Sequence, residues 1–401
     1  MEFGPIFRAM KKNKVAAGLL ILEIAFTLTV ALNALTIIRQ QRAQMDRESG
    51  IDEANIVGVI TRPYGSDLST PESRAQLKDE DLQKIRSLPG VLAVTSTSNF
   101  PLQGGGSSGR VKPLGADESQ RVRSPWYSMD ETMLDALGLE LHSGRALTRD
   151  DMLTSNGAQP TNVLITKALA DALFPDGDAL GQKLDTGSAD YPDTIVGIVK
   201  HMHTPYGGGP MEERIVFYPA FFGSYTRYLV RAEPGQLQAV RDQLESAFLA
   251  TYPHRVIELR SLQEIKNGGY VINRIVIGAL NAVVFLLYFV TGIGLLSMAW
   301  FSVTKRKKQI GIRRALGATR GQILRYFLVE TTLITVLGCA LGLVGAFALN
   351  LLLVKNMEMV RLSPLFALAG IFVLWLWALA ASLWPAMTGS KVPPAVATRT
   401  V

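Results

Sequence analysis

The chain has 401 residues, 48% of them apolar, with 19% charged residues and a net charge of +7. Its mean hydropathy is +0.20, and its length allows a membrane bundle plus one sizeable soluble domain, or two soluble domains. A single cysteine, Cys339, excludes an intrachain disulfide, and the basic residues sit beside apolar runs, which favours an anionic membrane surface over nucleic acid.

Four runs are long and apolar enough to cross a hydrocarbon core, which takes about 20 residues. The first is 15–38, interrupted by Glu23 and Asn33, after a basic segment 1–14 with Arg8, Lys11, Lys12 and Lys14. No small-x-small cleavage site follows it, so it is expected to be an uncleaved anchor. The second is 275–303, the third 323–354 and the fourth 365–384. The third is too long for one straight crossing and is expected to project from the membrane or begin in the interface.

Lys and Arg near span ends set orientation. The segment 304–322 carries Lys305, Arg306, Lys307, Lys308, Arg313, Arg314 and Arg320, and the tail 385–401 carries Lys391 and Arg399, whereas the short loop 355–364 has only Lys355 and Arg361 with Glu358. Both termini and segment 304–322 are therefore expected in the cytoplasm, with 39–274 and 355–364 outside.

Within 39–274 the reading is α+β. Positions 55–62 and 91–98 alternate like strands around an amphipathic helix at 79–88 that stops at Pro89-Gly90. Near the other end a helix at 236–250 lies between strands at 227–231 and 256–259. A β-α-β unit at each end suits a split ferredoxin-like porter part made of 39–124 and 224–274. Residues 125–223 then form an inserted subdomain, with helices at 130–137 and 167–173 and strands at 162–165 and 194–199. Gly104 to Gly109 reads as a flexible loop.

Catalytic patterns are missing. There is no Gly-x4-Gly-Lys-Ser/Thr loop for a nucleotide phosphate and no nucleophile elbow. His201 and His203 have no adjacent cysteine or carboxylate to complete a metal site, so a solvated turn is expected and no metal. Glu23 sits inside a span, where an acid is costly. A proton relay or gate is one reading; an interhelical hydrogen bond or a pairing with a basic residue is the preferred one. Gly338 and Gly342 make a small-x3-small pair that either lets two helices approach closely or faces lipid.

Segment 304–322 interleaves Ile310, Ile312, Ala315, Leu316 and Ala318 with basic residues. It reads as a short basic amphipathic element at the inner membrane face, serving as an anchor near acidic headgroups or as a docking element for a cytoplasmic partner. From Ile310 to Thr319 it resembles the signature of FtsX-like permeases of the macrolide-exporter (MacB) type of ABC transporter, departing at Gln309, where the family often has Glu. Two further stretches resemble that family: Pro385-Ala386 with Pro394, Ala397 and Arg399, and, in the outer domain, Leu137-Gly138, Gly144-Arg145, 162–165, Leu173-Phe174-Pro175, Leu180-Gly181 and 195–199.

The resemblance implies a non-catalytic permease subunit of the bacterial inner membrane. It implies a separate ABC ATPase that carries ATP and Mg, so that this chain binds no cofactor itself. It implies a second permease copy or a related permease, and further partners in the form of a periplasmic adaptor and an outer-membrane channel. Lys308, Gln309, Ile310, Gly311, Arg313, Arg314, Leu316 and Gly317 carry over as ATPase-coupling residues. ATP-driven motion of the outer domain would export drugs, peptides or lipid-linked cargo. The same mechanics would also serve a complex that regulates a periplasmic hydrolase or sensor, or one that extracts lipoproteins.

Overall fold

The computed structural model describes residues 14–65, 68–152, 162–187, 192–206, 209–219, 226–357 and 359–393. Arg8, Lys11 and Lys12, and the motif residues Pro394, Ala397 and Arg399, lie outside them. The chain divides into two compact units: a helical one made of 1–44 and 273–401, and an α+β one made of 45–272.

Among the described residues of the helical unit, four helices are long and apolar enough to cross a membrane. They are α1 (Lys14–Met45), α7 (Val271–Lys305), α9 (Arg320–Met357) and α10 (Pro364–Ser390), with the short α8 (Lys307–Ala315) between α7 and α9. At 1.5 Å per residue α9 is about 57 Å long and α7 about 52 Å, against about 30 Å of hydrocarbon. Both helices outrun the apolar spans read from sequence, because polar residues at their ends continue the same backbone hydrogen bonding. Leu20, Ile24, Leu28 and Leu32 of α1 pack with Leu295 of α7, Ile334 and Ala346 of α9, and Leu374 and Ala378 of α10. These spacings of three and four put one face of α1 at the centre of the bundle.

The α+β unit holds an eleven-stranded sheet. Its first part is β1 (Ile56–Pro63), α2 (Pro71–Arg86) and β2 (Val91–Thr97); its last is β10 (Thr226–Ala232), α5 (Leu237–Thr251) and β11 (Arg255–Ser261). The strands lie in the order β11-β1-β10-β2, all antiparallel. That is the 4-1-3-2 order of a split β-α-β fold. Period-two alternation gives the strands two buried faces. Val57, Val59, Val94, Tyr228 and Val230 meet Leu82 and Ile85 of α2 and Val240, Leu244 and Phe248 of α5. Ile56 and Leu229 face a second core with Tyr127, Met129, Leu164 and Phe217.

Between the two halves come β3 (Ser107–Pro113), β4 (Val122–Met129), α3 (Met133–Leu137), β5 (Leu141–Gly144), β6 (Asn162–Thr166), α4 (Lys167–Leu173), β7 (Lys183–Asp185), β8 (Asp193–Val199) and β9 (Val216–Pro219); α6 (Leu262–Gly269) follows β11. Strand pairing runs β4-β3-β7-β8-β6-β9 and returns from β9 to β4, which closes a six-stranded barrel. A single residue pair, Thr97 with Met129, joins the barrel to the porter sheet through β2 and β4.

The structure moves several expected boundaries. The division at 124/125 cuts through β4, and β3, assigned to the porter part, pairs with β4 and β7 of the barrel. Ser107 to Gly109 belong to β3, so only Gly104 to Gly106 remain loop. The helix expected at 79–88 starts at Pro71, where Thr70 Oγ1 accepts from Ser73 N at 3.2 Å as an N-cap. The helix expected at 130–137 begins at Met133, since Asp130 uses its carboxylate on Thr95, Ser96 and Thr132 instead.

Candidate functional site

The basic segment after α7 is folded by its own sequence. Helix α8 ends at Gly317, whose φ of +96° only glycine adopts without strain. Gly317 N donates to Arg314 O at 3.2 Å and Ala318 N to Arg313 O at 3.0 Å, the paired bonds of a Schellman stop. Two residues on, Thr319 N donates to Gln322 Oε1 at 2.9 Å and Gln322 N donates to Thr319 Oγ1 at 3.2 Å. This reciprocal box starts α9. The stretch Gly317-Ala318-Thr319-Arg320-Gly321-Gln322 therefore encodes a stop and a start in one turn.

Arg306, at the α7–α8 junction, grips Glu330 of α9 with both terminal nitrogens at 2.9 Å, and Nη1 also donates to Tyr326 Oη at 3.0 Å. Both side chains are largely shielded from solvent, so this bidentate pair is stronger than a surface ion pair. The Arg313 guanidinium lies 5.2 Å from the Tyr326 ring centroid, within cation–π range. Beneath it Ile310 packs with Val303, Ile323, Phe327 and Ala386.

The eight expected coupling residues consequently divide. Ile310 and Gly311 are buried and anchor α8 on the bundle. Gly311 sits inside the helix and ends no turn. Arg314 is half-buried, with Nη1 within 3.4 Å of Ala318 O and Nε without a hydrogen-bond partner. Lys308, Gln309, Arg313, Leu316 and Gly317 are exposed. Leu316 is 83% exposed and Ile312 45%, an apolar pair on an otherwise basic surface.

Among the other expected residues, Asn33 donates through Nδ2 to Thr29 O at 2.9 Å and to Ala346 O of α9 at 3.1 Å. Gly338 and Gly342 lie on the α1–α9 contact: a Cβ on Gly338 would stand 2.6 Å from Ile24 Cγ2, and one on Gly342 2.7 Å from Ala25 O. Glu23 does not form the expected interhelical hydrogen bond or ion pair among the described residues; its Oε1 is buried and unpartnered. A Cβ on Gly294 would sit 2.7 Å from Glu23 Oε2, so α7 leaves a slot for the carboxylate. One turn away on α1, Thr27 Oγ1 lies 2.8 Å from Thr291 Oγ1 of α7, so these two hydroxyls bond each other.

The α+β unit buries charges that the sequence pattern does not reveal. Arg255 donates from Nη1 to both oxygens of Asp81, at 3.0 and 2.8 Å, while Tyr228 Oη and Thr251 Oγ1 donate to the same carboxylate at 2.8 and 2.7 Å. This network ties α2, β10, α5 and β11 together. His203 is buried, not solvated as expected, and its Nε2 lies 3.0 Å from Glu212 Oε2. His201 Nε2 is 3.1 Å from Glu48 O. No group of three metal-ligating side chains occurs among the described residues.

Residues 19–247 match the MacB-like periplasmic core domain, and residues 281–394 match the FtsX-like permease C-terminal domain. The chain belongs to the MacB-like, FtsX-type ABC transporter permeases. The first match starts within α1 and ends within α5; the second takes in most of α7 and all of α8, α9 and α10. The chain is similar to the macrolide export ATP-binding/permease protein MacB of Chromobacterium violaceum, with 26% identity over 384 residues, covering 90% of this chain and 55% of that protein. It spans about half the length of that relative. It is also similar to the uncharacterized ABC transporter permease YvrN of Bacillus subtilis, with 24% identity over 419 residues and 98% of both chains covered. The crystal structure of the periplasmic region of MacB from Actinobacillus actinomycetemcomitans aligns with a TM-score of 0.36 and 19% identity, over 54% of this chain and 93% of that one. Four apolar helices among the described residues, together with one periplasmic-type domain, fit an inner-membrane protein.

Proposed function

We propose that this chain is the membrane subunit of an ABC transporter in which a separate ATPase, binding ATP and Mg, docks on α8 and drives motion of the α+β unit. Both termini and α8 face the cytoplasm in this reading. The observation that carries it is the exposed Leu316–Ile312 pair, set among Lys308, Arg313 and the rest of a basic helix that is clamped to α9 through Arg306 and Glu330. An apolar knob with a basic rim fits a pocket on an acidic-rimmed partner. A helix fixed at both ends by a buried ion pair and a Schellman stop passes force to its neighbours instead of bending. A second permease copy, or a related permease, completes the transporter. The work is export of drugs, peptides or lipid-linked cargo, with a periplasmic adaptor and an outer-membrane channel as further partners; the name of the MacB relative supports export over a signalling role.

The test is a mild-detergent pull-down of the tagged chain from native membranes, with nucleotide hydrolysis assayed on the recovered complex. The wild-type chain is expected to bring down an ATPase. The surface change Leu316→Asp is expected to lose at least tenfold of that recovery with the α+β unit still folded. Equal recovery and equal hydrolysis with Leu316→Asp would overturn docking on α8.

A further inference from the structure

The apolar residues of the helical unit pack in two clusters. Leu20, Leu295 and Ile334 belong to the larger one, and Phe327 to the smaller one that seats Ile310. A cavity of about 20 Å³ lies where the clusters meet, and these four residues line it. Small side chains leave the room for it: Ala299 and Ser302 of α7 and Thr331 of α9 are also in its wall. So is Glu330, the carboxylate gripped by Arg306. Ser302, Thr331 and Glu330 are all buried. A buried hydroxyl in this bundle ordinarily turns back to a carbonyl one turn earlier on its own helix. Thr36 does so to Leu32 O at 2.7 Å, Thr335 to Thr331 O at 2.9 Å and Ser382 to Ala378 O at 2.8 Å. Among the described residues the hydroxyls of Ser302 and Thr331 have no protein hydrogen bond, and neither is closed off by protein atoms.

Size and lining restrict what fits. A water molecule needs about 10–15 Å³ and settles where it finds two to four polar partners, so this cavity takes one water and nothing larger. The hydroxyls of Ser302 and Thr331 can each donate to it or accept from it. Arg306 takes one site on each Glu330 oxygen, at 2.9 Å, which leaves the carboxylate able to accept a further bond. The same pairing balances the Glu330 charge, so the cavity offers a cation no excess negative charge. A dry cavity would leave both hydroxyls buried without partners, the costlier arrangement.

We infer that this cavity is a binding site for a single water molecule that joins Ser302 of α7 to Thr331 and Glu330 of α9. Water then bridges the two helices one turn inside the α7–α8 junction, and Glu330 has a hydrogen bond that does not depend on Arg306.

The experiment is hydroxyl-radical footprinting with X-ray pulses on the full-length chain in lipid nanodiscs, read by mass spectrometry. Radicals form from water where it is bound and modify the side chains beside it. Phe327, 4% exposed, and Met298 line the cavity and report on it. Phe217 and Met129, both 0% exposed in the core of the α+β unit, are the controls. Phe327 is expected to be modified roughly fivefold faster than Phe217, and Met298 than Met129, because only the first of each pair has water beside it. The double variant Ser302→Ala with Thr331→Val keeps the apolar contacts and removes both hydroxyls. Modification of Phe327 and Met298 is expected to fall about threefold in it, with the controls unchanged. Thr331→Ser, which keeps a hydroxyl, is expected to retain the wild-type rate. A loosened bundle cannot imitate the fall, because entry of solvent raises modification. Equal rates at Phe327 and Phe217 in the wild-type chain, or a Phe327 rate that does not fall in the double variant, would overturn the inference.

Discussion

Asp193 is 1% exposed in the barrel wall, with Oδ1 unpartnered and Oδ2 held by Thr186. Burial pushes its carboxyl up to about 6, against the opposing pull of the Thr186 and Tyr218 hydroxyls. A raised folded-state value means that the proton is bound more tightly in the folded chain, so this group supports folding at pH below about 4 and loses that support as pH rises through 6. Asp193→Asn should therefore raise stability at pH 7.5 by on the order of 1–3 kcal/mol and give no gain at pH 4, read from urea unfolding of the α+β unit in detergent. An equal gain at both values would show that burial of charge is not what Asp193 suffers. Residues of this kind were the least legible in the sequence. Asp81 stands on the buried face of α2, where a lone acid on an amphipathic helix reads as a solvated one; only the fold brings Arg255 to it from the far end of the domain. Glu23 could be singled out, because an acid among apolar residues is conspicuous, but its surroundings come from α7 and could not.

At the scale of elements, the turn between α8 and α9 is the place where local sequence decides most. The Schellman stop needs φ of +96° at Gly317, and Gly317→Val should cost about 1–2 kcal/mol locally. Hydrogen–deuterium exchange should rise at least tenfold across residues 307–319 while the α+β unit keeps its protection; unchanged exchange would mean that α9 alone holds α8 in place. The long apolar helices and the two outer β-α-β units were legible because their periods of 3.6 and 2 run over many residues. Strands β3, β4, β7 and β9 were not. β7 and β9 are short, while in β3 and β4 Ser107, Ser108, Gly109 and Pro125 are poor strand formers that are acceptable here because a small barrel has room for them. The glycine-rich run that looked like a loop was half strand for that reason.

For the whole molecule, the charge distribution and the helix count make a prediction about sidedness. Cys339 is 3% exposed, so introduced cysteines report alone. Leu114→Cys, at a position 42% exposed, should react with a membrane-impermeant maleimide in cells whose outer membrane alone is opened. Leu316→Cys should react only after the inner membrane is also opened; the reverse pattern would invert the topology. What the sequence left open at this scale is which helix becomes the centre of the bundle, since all four apolar runs have similar hydropathy. That role falls to α1, and the order of synthesis gives it a consequence. Every helix that packs on α1 is made after residues 46–270, so at about 5–20 residues per second the ribosome takes roughly 10–50 s to deliver the first of them. Through that interval α1 sits in lipid with Thr27, Thr29 and Asn33 unmatched across the helix face and Glu23 without its slot. Until α7 is made, only the backbone hydrogen bonds of α1 itself satisfy it, so the chain is least supported while the α+β unit is still being synthesised.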